Sequence, residues 1–227
     1  MNRRTFLKTV PAATLLAGTT TSFGQELKPI TLVEPQRDGG KSVLAALWER
    51  KTTRDIGTEK LPAQMLSNLL WAAFGINRPK GPSAGGTGRT AASASNSQEI
   101  DLYVALPEGV YLYEAKGHSL KPVAAGDFRR RSGRRAAAMA PVNIFYVVDI
   151  AKYAKAPFQE PGLKDPEVQK SYYYVGTGLI AQNVYLFAAS QGLAAHFHNC
   201  DKENTAKEFK LRPEQRVLFA QTVGYPA

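Results

Sequence analysis

Three cations and two hydroxyls fall within five consecutive residues, Arg50-Lys51-Thr52-Thr53-Arg54. Arginine forks onto phosphate or carbonyl oxygens, and a threonine hydroxyl accepts or donates at a polar ring edge. The run suits an anionic, planar ligand; the plainer alternative is a solvated basic helix end that complements the helix dipole. A second polar run, Ser93-Ala94-Ser95-Asn96-Ser97-Gln98, carries amides able to hydrogen-bond a heteroaromatic ring, or else is a polar loop ahead of a strand. The third group is His196-x-His198. On a strand the two rings share a face and could chelate a metal. No carboxylate partner is evident, however, so no metal centre is expected, and Cys200, the only cysteine, cannot form an internal disulfide. Motifs for a nucleophile elbow, a zinc protease, a phosphate loop or a dinucleotide fold are absent. A chain without a side-chain catalytic set points to chemistry carried by a bound cofactor.

The elements that must position these residues are legible from periodicity. Lys41 to Glu49 places Val43, Leu44 and Leu47 at helical spacing. Pro62 opens a helix whose apolar face is Met65, Leu66, Leu69, Leu70 and Ala73, and Gly75 ends it. Residues 77–92, rich in Gly, Pro, Ser and Ala, read as loop. Ile100, Leu102, Val104 and Leu106 alternate on one strand face, and Val110 to Glu114 returns as its hairpin partner. Gly126 to Met139 reads as a helix with basic residues at 129, 130, 131, 134 and 135. Asn143 to Asp149 is nearly all apolar, a buried central strand. A proline-rich loop, 154–166, precedes a long helix from Glu167 to Gln191 that Gly192 terminates. A short strand or loop, Ala194 to Asn199, a small helix, Asn204 to Phe209, and a last strand, Arg216 to Gly224, complete the chain. Strands mixed with helices around a central hairpin predict an α+β domain.

At the N-terminus, Asn2-Arg3-Arg4-Thr5-Phe6-Leu7-Lys8 precedes a mild apolar stretch, Val10 to Gly18. That is the pattern of a twin-arginine export signal, a receptor-read address. The stretch is too short to span a bilayer, which takes roughly 20 residues. The expected organisation is a signal over residues 1–24, cleaved after Gly24, a linker or extended arm over 25–40, and one domain over 41–227. The expected location is periplasmic, with the twin-arginine translocase as a partner during export. The full chain carries a formal charge of +10. Removing Arg3, Arg4 and Lys8, with no acid among the first 24 residues, leaves +7. Such a domain could bind an anionic ligand, a membrane surface or nucleic acid; export argues against nucleic acid.

Taken together, the runs resemble motifs of the nitroreductase-like flavoproteins. Arg50-Lys51-Thr52-Thr53-Arg54 is similar to that family's early R-R/H-S-x-R/K motif, with Thr for Ser. Ala92 to Gln98 is similar to its P-S-x-x-N-x-Q, with Ala92 in place of the proline. Gln182-Asn183-x-x-Leu186-x-Ala188-Ala189-x-x-Gly192-Leu193 looks like its long helix, and Val223-Gly224-Tyr225-Pro226 like its last strand. The resemblance covers residues 42–226. Gly109-Val110-Tyr111-Leu112-Tyr113 with His118-x-Leu120 looks most like the SagB-type dehydrogenase branch.

The resemblance implies a mixed, mainly antiparallel sheet flanked by helices, in an FMN-binding homodimer with the flavin at the subunit interface. By motif, Arg50, Lys51, Thr52 and Arg54 would meet the phosphate, ribityl chain and pyrimidine edge. Ser93, Asn96 and Gln98 would contact the flavin from the partner subunit. His196, Phe197, His198 and Asn199 would form the loop against the ring, with a backbone N–H facing N5. Family members commonly continue past the last strand with basic residues on the phosphate. This sequence ends at Ala227, so phosphate affinity is expected to rest on Arg50 and Arg54, aided by the cluster Arg129 to Arg135 unless that cluster is a solvated helix face.

The implied activity is ping-pong electron transfer between a donor and a small organic substrate. In the SagB-type branch the reaction is dehydrogenation of an azoline ring, which needs a base. Lys170, Tyr172 and Tyr174 are the candidates, unless the tyrosine run only packs an interface. NAD(P)H is scarce in the periplasm, so a quinone or a redox protein is the expected donor. The rival readings are a non-catalytic flavin or anion binder on the same fold, and a module for anionic polymers or membrane surfaces.

Overall fold

Eight consecutive buried residues, Val142–Asp149, form the centre of the molecule. Their side chains alternate: Ile144, Tyr146 and Val148 enter one apolar cluster, Phe145 and Val147 the other. A strand buried on both faces needs cover on both, and this requirement sets the layers. In the computed structural model, which describes residues 26–81, 86–133 and 136–227, the order is β1 (Ile30–Thr31), α1 (Val43–Glu49), α2 (Ala63–Phe74), β2 (Ile76–Arg78), β3 (Gly88–Arg89), β4 (Ile100–Leu106), β5 (Gly109–Glu114), β6 (Ser119–Ala125), α3 (Ala136–Met139), β7 (Val142–Asp149), α4 (Pro166–Ser190), β8 (Ala194–His198), α5 (Lys202–Glu208) and β9 (Gln215–Gly224). The expected export signal lies outside the described residues.

Seven strands make one sheet, in the order β1-β6-β5-β4-β7-β9-β8, and every ladder in it is antiparallel. This is the α+β, mainly antiparallel sheet flanked by helices that the sequence predicts. Ile100, Leu102, Val104 and Leu106 all point into the cluster beneath α2 and α4, as their alternation requires. Helix α4 buries Tyr173, Gly176, Thr177, Ile180, Ala181, Val184 and Ala188, an i, i+3, i+4 stripe. Asp165 caps it, its Oδ1 accepting from Glu167 and Val168 N–H, with Pro166 at the first helical position. The second face carries Phe209, which packs against Tyr103, Phe128 and Phe145.

Four expectations change. Residues 126–139 are not one helix: among the described residues only a tight turn, Arg129–Arg131, and α3 form there, and Arg134 and Arg135 lie outside the described residues. The physical reason is that Arg129 turns inward, where its guanidinium bonds the Met139 and Ala140 carbonyls and Asp127. Arg131 pairs with Glu208 and Asp201. Neither is a solvated helix face, and both charges are spent within the chain. Strand β6 was not anticipated, because Pro122 interrupts its pattern; Pro122 lies beyond the two-residue ladder to β1, where no N–H is demanded. Pro62 is the N-cap of α2 rather than its first helical residue. Residues 77–92 are not all loop, since β2 and β3 pair as a ribbon.

The segment expected as a linker or arm is stitched to the domain. Beyond β1, Ser67 Oγ donates to the Val33 carbonyl, and Gln36 N–H donates to Asn68 Oδ1 at 2.9 Å. His118 ties this corner together, with Nε2 2.6 Å from Ser67 Oγ and Nδ1 3.0 Å from the Tyr113 hydroxyl.

Candidate functional site

The chain leaves α1 at Arg50 and runs along the outer edge of β8. Thr53 N–H donates to the Ala195 carbonyl at 3.0 Å, and Ile56 bridges to Pro226. One phenol fixes this loop. The Tyr185 hydroxyl, on α4, accepts from Phe197 N–H at 2.8 Å and lies 3.0 Å from Thr52 Oγ1. The Arg50 guanidinium stands over the same ring, 5.4 Å from its centroid. Arg50–Arg54 and His196–Asn199, far apart in sequence, are thus brought together by a tyrosine that no motif singled out. A cleft of about 200 Å³ opens beside them, lined by Lys51, Thr53, Tyr185, Leu193, Ala195 and Pro226 among others.

The electrostatics favour an anion. No ion pair among the described residues involves Arg50, Lys51 or Arg54. Two acids flank the run: Glu49, which lines the cleft, is engaged by Lys41, and Asp55 forms no ion pair among the described residues. Burial, then His198 and Arg54, push the His196 imidazole down to about 4, so it is neutral at physiological pH. The His196 and His198 rings lie 4.5 Å apart, and no third ligand-type side chain joins them in a metal-holding group among the described residues. His198 Nδ1 donates to the Asn199 carbonyl and Nε2 faces Thr222 Oγ1 at 2.9 Å. Phe197 packs on Phe219 and Tyr146.

Replacing Tyr185 by Phe tests this clasp. It removes the acceptor for a half-buried N–H, a loss of about 1 kcal/mol, which for a domain of this size lowers Tm by roughly 2–4 °C. Differential scanning calorimetry should show that drop, together with weaker ligand binding at the Arg50–Arg54 loop. An unchanged Tm would mean that Tyr185 does not hold the two segments together.

Ser93, Asn96 and Gln98 lie elsewhere. A tight turn at Ala94–Asn96 carries left-handed backbone at Ser95, Asn96 and Gln98, with φ of 50, 52 and 50°. Gln98 is already well satisfied: Nε2 donates to the Thr87 carbonyl and Asn96 Oδ1, and Oε1 accepts from Arg89 Nε at 2.7 Å. Ser93 Oγ accepts from Gln98 N–H at 3.0 Å. None of 93–98 lines the cleft beside Arg50–Arg54, and none of 50–54 lines the cleft beside 93–98. One chain does not assemble both halves.

The three candidates for a base line neither cleft. Lys170 lies 3.6 Å from Glu167. Tyr172 has its phenol pushed up by a hydrogen bond with Glu160. Tyr174 packs on Tyr173 and Phe219. Besides Tyr185, the sequence reading missed Arg89, Lys116, Lys152 and Lys155, which converge beside 93–98. No spacing signal joins those four.

The fold is an antiparallel α+β sheet whose edge strand carries a clasped basic loop, Arg50–Arg54, that forms no ion pair among the described residues. More particularly, this chain belongs to the nitroreductase family: the model described as "Nitroreductase family" matches residues 47–225. A candidate nitroreductase of Methanocaldococcus jannaschii, MJ1384, is 24% identical over 189 residues, covering 78% of this chain and 88% of that protein. The crystal structure of a candidate nitroreductase from Ralstonia eutropha JMP134 matches with a TM-score of 0.78 and 35% identity, over 90% of this chain and 92% of that one. The NADPH:FMN oxidoreductase of Vibrio harveyi, complexed with NAD+, shares the fold, with a TM-score of 0.55 and 16% identity over 81% of this chain and 68% of that one. The chain therefore has the fold of a nitroreductase-family oxidoreductase.

Proposed function

We propose that this protein is an exported, periplasmic FMN-dependent oxidoreductase, close to the SagB-type branch, that passes electrons by a ping-pong sequence to or from a small organic substrate. The observation that carries the flavin assignment is the loop of Arg50, Lys51 and Arg54, three cations beside the Thr52 hydroxyl that form no ion pair among the described residues. These donors fit a phosphate and a polar ring edge. Bound FMN would supply a two-electron carrier, which the side chains themselves do not provide.

In this reading Arg50 and Arg54 hold the phosphate, and Thr52 and Lys51 meet the ribityl chain and pyrimidine edge. Segment His196–Asn199 lies against the ring. Along β8 the outward Ala195 carbonyl is used by Thr53 and the outward Phe197 N–H by Tyr185. The segment past Phe197 supplies the backbone N–H assigned to N5. The separation of 93–98 from this loop supports a homodimer in which the partner supplies Ser93 and Asn96. Exposed apolar faces suit such an interface: Leu44 and Trp48 on α1 are 72% and 91% exposed, and Val175 and Leu179 on α4 are also open. Export by the twin-arginine translocase rests on Arg3, Arg4, Phe6 and Leu7.

The test is an absorption spectrum of the purified protein titrated with FMN, then reduced with dithionite and exposed to air, with sedimentation run in parallel. The expected result is a stoichiometric flavin band that bleaches and returns, on a species sedimenting as a dimer. Failure to bind micromolar FMN would remove the cofactor; binding without reoxidation by any acceptor would favour a non-catalytic flavin binder.

A further inference from the structure

We propose that the cleft beside residues 93–98 is a subsite for a carboxylate or phosphate group on the small molecule that exchanges electrons with the flavin, held by Arg89, Lys116 and Lys155. The assignment to an electron-exchanging molecule rests on the flavin reading above; the anion site itself does not.

The cleft measures about 460 Å³, and its charged lining residues are Arg89, Lys116, Lys152 and Lys155. They come from β3, from the turn between β5 and β6, and from the helical turn after β7, so their convergence is made by the fold. No carboxylate lines the cleft. Lys152 is the one with a local counter-charge: it lies 2.6 Å from Asp101 and also donates to the Gln98 carbonyl. The other three form no ion pair among the described residues.

Arg89 separates this cluster from ordinary surface lysines. It is half-buried and held from three sides: Nε donates to Gln98 Oε1, Nη1 donates to the Phe74 carbonyl, and the guanidinium lies 4.9 Å from the Phe74 ring centroid. Burial pushes its pKa down, while its hydrogen-bond partners are all neutral. A cation taken out of water is normally compensated by a charge partner. Here the protein supplies orientation but no direct ion pair: Asp101 acts on Arg89 only through space and does not outweigh burial. Lys116 and Lys155 are exposed, and their long, flexible stems reach towards an anion that Arg89 fixes.

Backbone strain marks the same wall. Of the five non-glycine residues with positive φ among the described residues, three are Ser95, Asn96 and Gln98. Such conformations persist where surrounding bonds over-determine them, and they concentrate at ligand clamps. Gln98 is so held, by Thr87, Asn96, Arg89 and Ser93. If 93–98 faces the partner's flavin, a charge-selective wall stands directly beside it and favours anionic electron partners over neutral ones.

The experiment compares para-nitrobenzoate with para-nitrobenzamide, which share a nitro group and differ in one charge. The flavin-loaded protein is reduced anaerobically with stoichiometric dithionite and mixed with each acceptor, and reoxidation is followed by stopped flow. Two electrons and two protons convert each nitro group to nitroso with loss of one water. The wild type is expected to react about tenfold faster with the carboxylate, with the preference shrinking as salt rises. Lys116→Gln with Lys155→Gln should abolish most of that preference while the FMN dissociation constant stays put; circular dichroism checks the fold. Equal rates for the two acceptors in the wild type would overturn the subsite. So would a double variant that loses FMN itself, which would assign these lysines to the flavin phosphate. If the wild type takes up no FMN, the flavin reading fails separately. Calorimetric titration of the flavin-free protein with para-nitrobenzoate then decides: binding lost in the double variant upholds the anion site, and no binding overturns it.

Discussion

Replacing Arg50 and Arg54 together by alanine is expected to weaken FMN binding by at least about 100-fold, since each charge-assisted hydrogen bond to phosphate contributes roughly 1.5–3 kcal/mol. The fold should hardly notice. Neither guanidinium has an ion-pair partner among the described residues, and the contact of Arg50 with the Tyr185 ring is a half-exposed cation–π pair of about 0.5–1 kcal/mol. The pairing of a large binding loss with a small change in Tm separates a ligand-holding role from a structural one. Fluorescence titration of FMN with calorimetry on the same samples reads both. Substituting lysines should recover only part of the affinity, because an ammonium cannot reproduce the planar fork. An unchanged affinity in the alanine variant would mean that the basic loop is a solvated helix end after all.

Glu99→Gln is expected to stabilise the protein at neutral pH by about 1–3 kcal/mol, because it removes the charge that burial disfavours, or roughly 2–12 °C in Tm. Glu99 is fully buried beneath α4, next to the strained 93–98 segment. Ser97 Oγ donates to its Oε2 at 2.6 Å, but Oε1 has no hydrogen-bond partner. The Tyr153 hydroxyl beside it donates to the Gln169 carbonyl at 3.2 Å. Burial pushes the carboxyl pKa up, outweighing the Ser97 bond. A carboxyl raised on folding binds more protons in the native state than in the unfolded chain. Stability is therefore full below the ordinary value of 4.5 and falls as pH rises from there towards the native pKa. Glutamine removes that slope. Wild type and variant should have equal Tm at low pH and diverge as pH rises, the variant being the more stable. Parallel profiles, with no divergence, would show that Glu99 does not titrate in the native state. Gly176 sets the packing limit here, because a Cβ at that position would stand 2.9 Å from Glu99 Oε1.

Much of the architecture is written locally. The four-residue alternation from Ile100 to Leu106, the unbroken apolar run of β7 and the 3.6-residue stripe of α4 each state which face is buried, and the fold obeys all three. The basic and amide-bearing runs are also visible as residue types in order. Local pattern fails where a side chain reverses its expected direction. Arg129 reads as one more solvated cation, yet it turns inward to carbonyls and breaks the expected helix. Pro122 hides β6 because the missing N–H matters only if a neighbour demands it, and the length of β1 decides that. The site follows the same rule. Periodicity encodes the orientation of a residue relative to its own element, whereas juxtaposition depends on which strands neighbour one another and how far each extends. Only the docking of α4 against β8 brings the Tyr185 hydroxyl to both Thr52 and Phe197. Only the packed sheet gathers Arg89, Lys116, Lys152 and Lys155, from positions spread over more than sixty residues, around one cleft with no carboxylate in its lining. The sequence determined the parts and their chemistry; the order of the sheet decided which of them meet.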